Sequence, residues 1–174
     1  MTLPARPTRT AAAAPSFAAA AEQHLDDVYG YLLYLTHDAS LAEDLTAETF
    51  EKALRLWRRF DARRASARTW LCQIARTTAL DWFRSEDRRR RREERAAGPE
   101  RVDADYAEGF SPELQAALGA LSAGEREVIA LRVLLELDGD EAARVLGVSP
   151  TAVSTRLSRA LKKLEERMDS HVAV

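Results

Sequence analysis

One cysteine, Cys72, stands in a chain of 174 residues. No disulfide can form within the chain, and a reducing compartment fits. The three histidines, His24, His37 and His171, are scattered, and no pair has metal-ligand spacing. No glycine-rich phosphate loop is present. No run of about eighteen apolar residues exists, so no membrane-spanning segment is expected. The Ala-rich stretch AAAAPSFAAAAEQ lacks leucine, carries Pro15 and runs at once into Glu22, Asp26 and Asp27. It therefore reads as something other than a secretory signal, and residues 1–15 are expected to form a disordered tail. The machinery of a common enzyme is missing: no catalytic residue, no cofactor and no metal is expected. Lysine is scarce too, with only Lys52, Lys162 and Lys163 among 26 basic residues.

What is present is charge, and it is divided. From Phe17 to Glu51 there is no Lys or Arg and there are eight acidic residues. From Lys52 to Arg92 there are fourteen basic and four acidic residues, ending in the block Arg88 to Arg92. The net charge of -2 hides this reversal. Neighbouring blocks of opposite sign suggest two different partners, one basic and one anionic.

The periodicity is helical nearly throughout, which predicts an all-α fold. The first helix is expected over about Pro15 to Thr36, with Phe17, Val28, Leu32 and Leu35 on one stripe. Ser40 is the expected cap of a second helix reaching about Phe60, its buried side formed by Leu45, Phe50, Leu54 and Trp57. Asp61 to Ala67 reads as a loop. Ser66 is the expected cap of a third helix, with Trp70, Ile74 and Leu80 facing inward and Cys72 as core filling. The segment from Arg92 to Pro112 contains Gly98, Pro99, Gly109 and Pro112, has no apolar period, and reads as a linker. The predicted organisation is a domain over 16–95, a flexible linker over 96–112, a second domain over 113–168 and a tail over 169–174.

The second domain holds the clearer motif. A short helix, Asp140 to Leu146, ends at Gly147, a residue suited to a helix C-terminus. A tight turn leads to Ser149 as cap and Pro150 in the first helical position. The following helix is expected to bury Val153, Leu157, Leu161, Leu164 and Met168. Thr151, Thr155, Ser158, Arg159 and Lys162 fall on the opposite face, flanked by Arg156 and Lys163. This pattern predicts a helix-turn-helix whose second helix enters the major groove. Thr155 and Arg159, one turn apart, are the candidate base readers; Arg156, Lys162 and Lys163 suit phosphates.

The third helix then acquires a reading of its own. Aromatic Trp70 beside Arg63, Arg64 and Arg68 suits a groove for single-stranded DNA, and Phe60 is a candidate wedge. The arginine block suits phosphates.

Together these features resemble a bacterial sigma factor of the small extracytoplasmic-function (ECF) group, with a sigma-2 and a sigma-4 domain and little else. LAEDLTAETFEKAL (Leu41 to Leu54) resembles that family's polymerase-binding segment, with Ala47 in place of a frequent Gln. ASARTWLCQIARTTALDWFR resembles its promoter-melting and minus-10 recognition helix. LSAGEREVIALRVLLELDGDEAARVLGVSPTAVSTRLSRALKKLEE resembles its minus-35 recognition domain. The resemblance implies a sigma-2-like helix bundle and a sigma-4-like helix-turn-helix joined by the linker. It implies that Asp44, Leu45, Glu48 and Phe50 dock on the beta-prime clamp of core RNA polymerase, and that the beta flap is a second contact. It implies that Phe60 and the loop to Ala67 help to part the strands, that Arg76 and Thr77 read minus-10 bases, and that Ser154, Thr155, Arg156 and Arg159 address the minus-35 element. It further implies double- and single-stranded promoter DNA and an anti-sigma protein as partners. The location it implies is the bacterial cytoplasm, at the nucleoid when polymerase-bound. Ala67, Thr77 and Ser154 depart from the family's usual aromatic, Asn and basic residues, and LDGDEAARVLG lacks the usual Ser-Tyr-Glu-Glu start, although Asp138 can serve as its cap.

Two other classes stay open on the residues alone. A helix-turn-helix regulator acting without polymerase explains residues 113–168 but leaves the acidic segment unexplained. A metal-dependent enzyme built on Asp44, Glu48 and Glu51 has helical spacing but no nearby His.

Overall fold

The computed structural model describes residues 16–94 and 111–172. Every regular element among them is helical. Most of the linker and the tail over residues 1–15 lie outside the described residues.

Three helices form the first domain. α1 spans Phe17–Thr36 and starts where Ala19 N–H donates to Ser16 Oγ at 3.2 Å. It ends at His37, which takes the left-handed conformation with φ 55°. α2 spans Ala39–Leu56. Its cap is Asp38, not Ser40: Leu41 N–H donates to Asp38 Oδ1 at 2.9 Å. Both residue types cap well, and the sharp turn at His37 leaves only two residues between the helices, so the first competent side chain takes the role. α2 also stops earlier than expected. A single 3-10 turn, Trp57–Arg59, follows it and delivers Phe60 in extended backbone. α3 spans Ala67–Glu94 and is capped by Ser66, whose Oγ accepts from Thr69 N–H at 3.1 Å.

The three helices pack mutually around Val28, Tyr31, Leu32, Leu45, Leu71 and Cys72, all essentially without solvent contact. Small residues, Ala42, Ala53, Ala75 and Ala79, are buried at the helix crossings, where they let the backbones approach closely. Leu54 is 57% exposed, against expectation; its neighbour Ala53 takes the buried position. Cys72 is core, and burial pushes its thiol up to about 12, so it is unreactive.

The second domain is built from α4 (Pro112–Gly119), α5 (Ala123–Ile129), α6 (Gly139–Leu146) and α7 (Pro150–Val172). α7 continues to Val172, beyond the boundary expected at residue 168. A π-helical turn, Ala130–Leu134, links α5 to the segment before α6. Capping boxes start α5 (Ser122 with Glu125) and α6 (Asp138 with Glu141). Leu121, Val128, Leu131, Leu137, Val145 and Val153 form this core. On α7 the buried partner of Val153 is Ala160, while Leu161 is 47% exposed and Met168 is exposed too. Both keep the helical period, but Leu157 and Leu164, not Leu161 and Met168, pack against the core.

The two domains touch. α6 packs on α3, and the π-helical turn packs on α1.

Candidate nucleic-acid interface

The helix-turn-helix forms as its sequence requires. Gly147 closes α6 with φ 67°, the left-handed region where a side chain is strained. Val148 N–H then returns to Ala143 O at 3.1 Å. Ser149 caps α7 through Ala152 N–H at 3.2 Å, and Pro150 opens it. Thr151, Ser154, Thr155, Ser158, Arg159 and Lys162 are exposed along one side of α7. The hydroxyls of Ser154 and Thr155 donate back to Pro150 O and Thr151 O, at 3.2 and 2.9 Å. Arg156 is half-buried and, with Arg159, lines a 340 Å³ hollow beside Ser122 and Gly124. Lys162 lies 3.7 Å from Glu166 at the surface, a loose pair that leaves it open to solvent. Lys163 does not join this face: it is engaged by Glu125 of α5 at 2.7 Å.

The loop after α2 gathers the aromatics. Phe60 stacks on Trp57 with centroids 4.7 Å apart, and Trp70 lies 5.4 Å from Phe60 and 5.6 Å from Trp57. All three are half-buried. A 440 Å³ cavity opens beside Trp70, walled by Arg59, Asp61, Arg64, Ala65 and Gln73 of the first domain and Arg144 of the second. Aromatic and guanidinium surfaces around one hollow are what a splayed base and its phosphate require. Arg63 points outward and is held by Asp61 through Nε at 3.1 Å.

Two expected single-strand contacts are engaged elsewhere. Arg68 turns inward to Asp27 of α1: Nη2 donates to Oδ1 at 2.9 Å, and Nε lies 2.8 Å from Oδ2 but off the hydrogen-bond axis. It ties α3 to α1. Arg76 donates Nε and Nη2 to the two carboxylate oxygens of Glu127, at 2.8 and 3.2 Å. Thr77, next to it, is exposed.

The acidic residues are carried by α2. Asp44 and Glu48 are exposed on α2, Glu48 paired within the helix to Lys52 at 2.7 Å. Leu45 cannot touch a partner: it is 2% exposed and belongs to the core. Phe50 is half-buried, edge-on to Phe17 at 6.5 Å. It forms part of an apolar groove of 530 Å³ between α1 and α2 whose walls include Leu25, Tyr29 and Ala47, with Asp26 and Glu43 at its rim. Leu25 and Tyr29 escaped the sequence reading, and Asp26 entered it only as part of the acidic block; Leu25 could have been found as a lone large apolar residue on the acidic side of α1. Among the described residues no group of His, Cys, Asp and Glu is placed to hold a metal ion. No described helix is long and apolar enough to cross a membrane.

Residues 20–89 match Sigma-70 region 2 and residues 111–164 match Sigma-70 region 4. The chain is 40% identical over 138 residues to the ECF RNA polymerase sigma factor SigC of Mycobacterium tuberculosis, a match covering 77% of this chain and 73% of that protein. The chain belongs to the ECF sigma factors. This sigma factor is also 30% identical over 155 residues to the ECF RNA polymerase sigma factor SigX of Bacillus subtilis, covering 82% of the one and 78% of the other. Among solved structures it is similar to the sigma factor RpoE of Bartonella quintana, in complex with the anti-sigma factor NepR, with TM-score 0.69, 27% identity, and 88% and 96% of the two chains covered. CnrH, in complex with the cytosolic domain of CnrY, gives TM-score 0.65 at 27% identity, covering 88% of each chain. The sigma factor binds core RNA polymerase and directs it to promoters for transcription initiation. The region 2 match accounts for the first domain, which a regulator acting without polymerase leaves idle.

Proposed function

We propose the following division of labour among the residues. The first domain, residues 16–95, docks on the beta-prime clamp through Asp44, Glu48 and the groove beside Phe50. A carboxylate rim around an apolar floor suits a basic amphipathic helix. The same domain takes the minus-10 strand on Phe60, Trp70, Arg63 and Arg64, with Arg76 and Thr77 reading beside them and assisting melting. The second domain, residues 113–168, contacts the beta flap and reads the minus-35 element. There Thr155 and Arg159 face the bases, and Ser154, Arg156 and Lys162 face the phosphates. The sigma factor has no catalysis of its own. It works in the bacterial cytoplasm, at the nucleoid when polymerase-bound. An anti-sigma protein holds it between uses; the related RpoE is seen in complex with the anti-sigma factor NepR.

The observation that carries this reading is that each domain presents an exposed charged or polar set on its own helix: Asp44 and Glu48 on α2, Thr155 and Arg159 on α7. Run-off transcription with core polymerase on a pool of promoter fragments tests it. Asp44→Arg with Glu48→Arg should abolish all products. Thr155→Ala with Arg159→Ala should remove promoter selection while association with core persists. Full promoter-specific transcription by both variants would overturn the assignment.

A further inference from the structure

Three guanidinium groups meet around one hollow without a counter-charge of their own. Arg59, Arg64 and Arg144 line the 440 Å³ cavity beside Trp70. Among the described residues no ion pair engages any of the three. The one carboxylate in the lining, Asp61, is spent on Arg63. Its Oδ1 accepts from Arg63 N–H at 3.0 Å and from Nε at 3.1 Å, and its Oδ2 accepts from Nη2 at 3.1 Å. Like charges gathered around a cleft raise the local concentration of anions. A bound anion relieves their repulsion, and the planar guanidinium fork matches phosphate oxygens.

The same cavity has an aromatic wall and an amide. Trp70 is set by its packing on Trp57 and Phe60, at 5.6 and 5.4 Å. Gln73 Nε2 donates to Arg144 O at 2.9 Å, which leaves its carbonyl oxygen as an acceptor for a base edge. Charge then decides the class of ligand. Each nucleotide of a strand brings one phosphate charge. Three guanidinium groups around a single aromatic wall match one base carrying several phosphates better than a strand. Inorganic phosphate would leave Trp70 without a role. The volume, 440 Å³, lies within the range of small-molecule pockets, about 300–1,000 Å³.

We propose that this cavity binds a free nucleoside di- or triphosphate, its base against Trp70 and Gln73 and its phosphates among Arg59, Arg64 and Arg144. The site goes beyond the promoter reading above, which gives Arg64 and Trp70 to a DNA strand and assigns nothing to Arg59, Gln73 or Arg144. Four of its residues belong to the first domain and Arg144 to α6 of the second. The ligand therefore touches both domains, and by mass action it stabilises the arrangement in which they meet.

Calorimetric titration of the full chain with ATP and with GTP tests it. At least one should bind. Tripolyphosphate, which has the charge without the base, should bind about tenfold more weakly or worse. Arg144→Ala should weaken triphosphate binding about tenfold with an unchanged circular dichroism spectrum. Arg144 is exposed, and its carbonyl rather than its side chain holds Gln73, so the variant keeps that bond. Arg84→Ala removes the same charge from an exposed position farther along α3 and should leave the affinity as it is. A short single-stranded oligonucleotide separates a free nucleotide from a strand: Arg144→Ala should reduce its affinity no more than Arg84→Ala does. No binding of either triphosphate, equal affinity for tripolyphosphate, or equal losses in Arg144→Ala and Arg84→Ala would overturn the site. Dependence on Arg144 for the oligonucleotide alone would overturn it too and give the cavity to the strand.

Discussion

Lys163 Nζ of α7 lies 2.7 Å from Glu125 Oε1 of α5. The same carboxylate accepts from Ser122 N–H at 2.8 Å, closing the capping box of α5. One buried acid therefore caps one helix and anchors the recognition helix. Lys163, expected from its spacing to suit phosphates, instead ties α7 to α5.

That arrangement has a pH signature. Lys163 first, then the Ser122 N–H, lowers the Glu125 carboxyl from 4.5 to about 2. A depressed acid stabilises the fold fully above its unfolded pKa, and the contribution is lost as pH falls from about 4.5 through about 2. Thermal unfolding of the wild type should lose stability across that window. Glu125→Gln should unfold at lower temperature at neutral pH, by about 1–2 kcal/mol from the weakened cap and pair, and should change less between pH 4.5 and 2. Identical pH profiles for the two proteins would contradict the pairing.

The two cations left on the outer face of α7 should behave differently. Arg159→Ala should cost about 1–3 kcal/mol on the preferred minus-35 sequence and flatten discrimination between sequences. Lys162→Ala should weaken binding to all sequences alike and reduce the salt dependence by about one counterion. Binding isotherms at several salt concentrations separate the two. A uniform loss for Arg159→Ala would remove it from base reading.

Gly147 tests the turn itself. Nothing lies within 4 Å of where its side chain would sit, so Gly147→Ala introduces no clash. The whole cost is backbone conformation at φ 67°, about 1 kcal/mol. Denaturant unfolding should show that loss. No loss would mean the turn relaxes to another conformation.

Much of this was legible in the residues. Ser66, Asp138 and Ser149 announced three helix starts, and Gly147 one helix end, because capping depends on side chains within a turn of the terminus. Periodicity located the cores but not their edges: Leu54 and Leu161 keep the period yet face water, and Ala53 and Ala160 replace them where helices approach most closely. Leu45 was assigned to docking on resemblance, and its burial removes it. Arg68 and Arg76 read as DNA contacts because their charge was visible and their partners, Asp27 and Glu127, lie far away in sequence. Ion pairs between distant segments leave no local pattern to read.

The most direct test of the whole reading is co-elution of the purified chain with core RNA polymerase, beside Asp44→Arg with Glu48→Arg. Co-elution of the wild type, lost in the double variant with its fold intact, is the expected result. Equal co-elution of both would remove the acidic face of α2 from the polymerase contact, and no co-elution of the wild type with active core would contradict the sigma role itself.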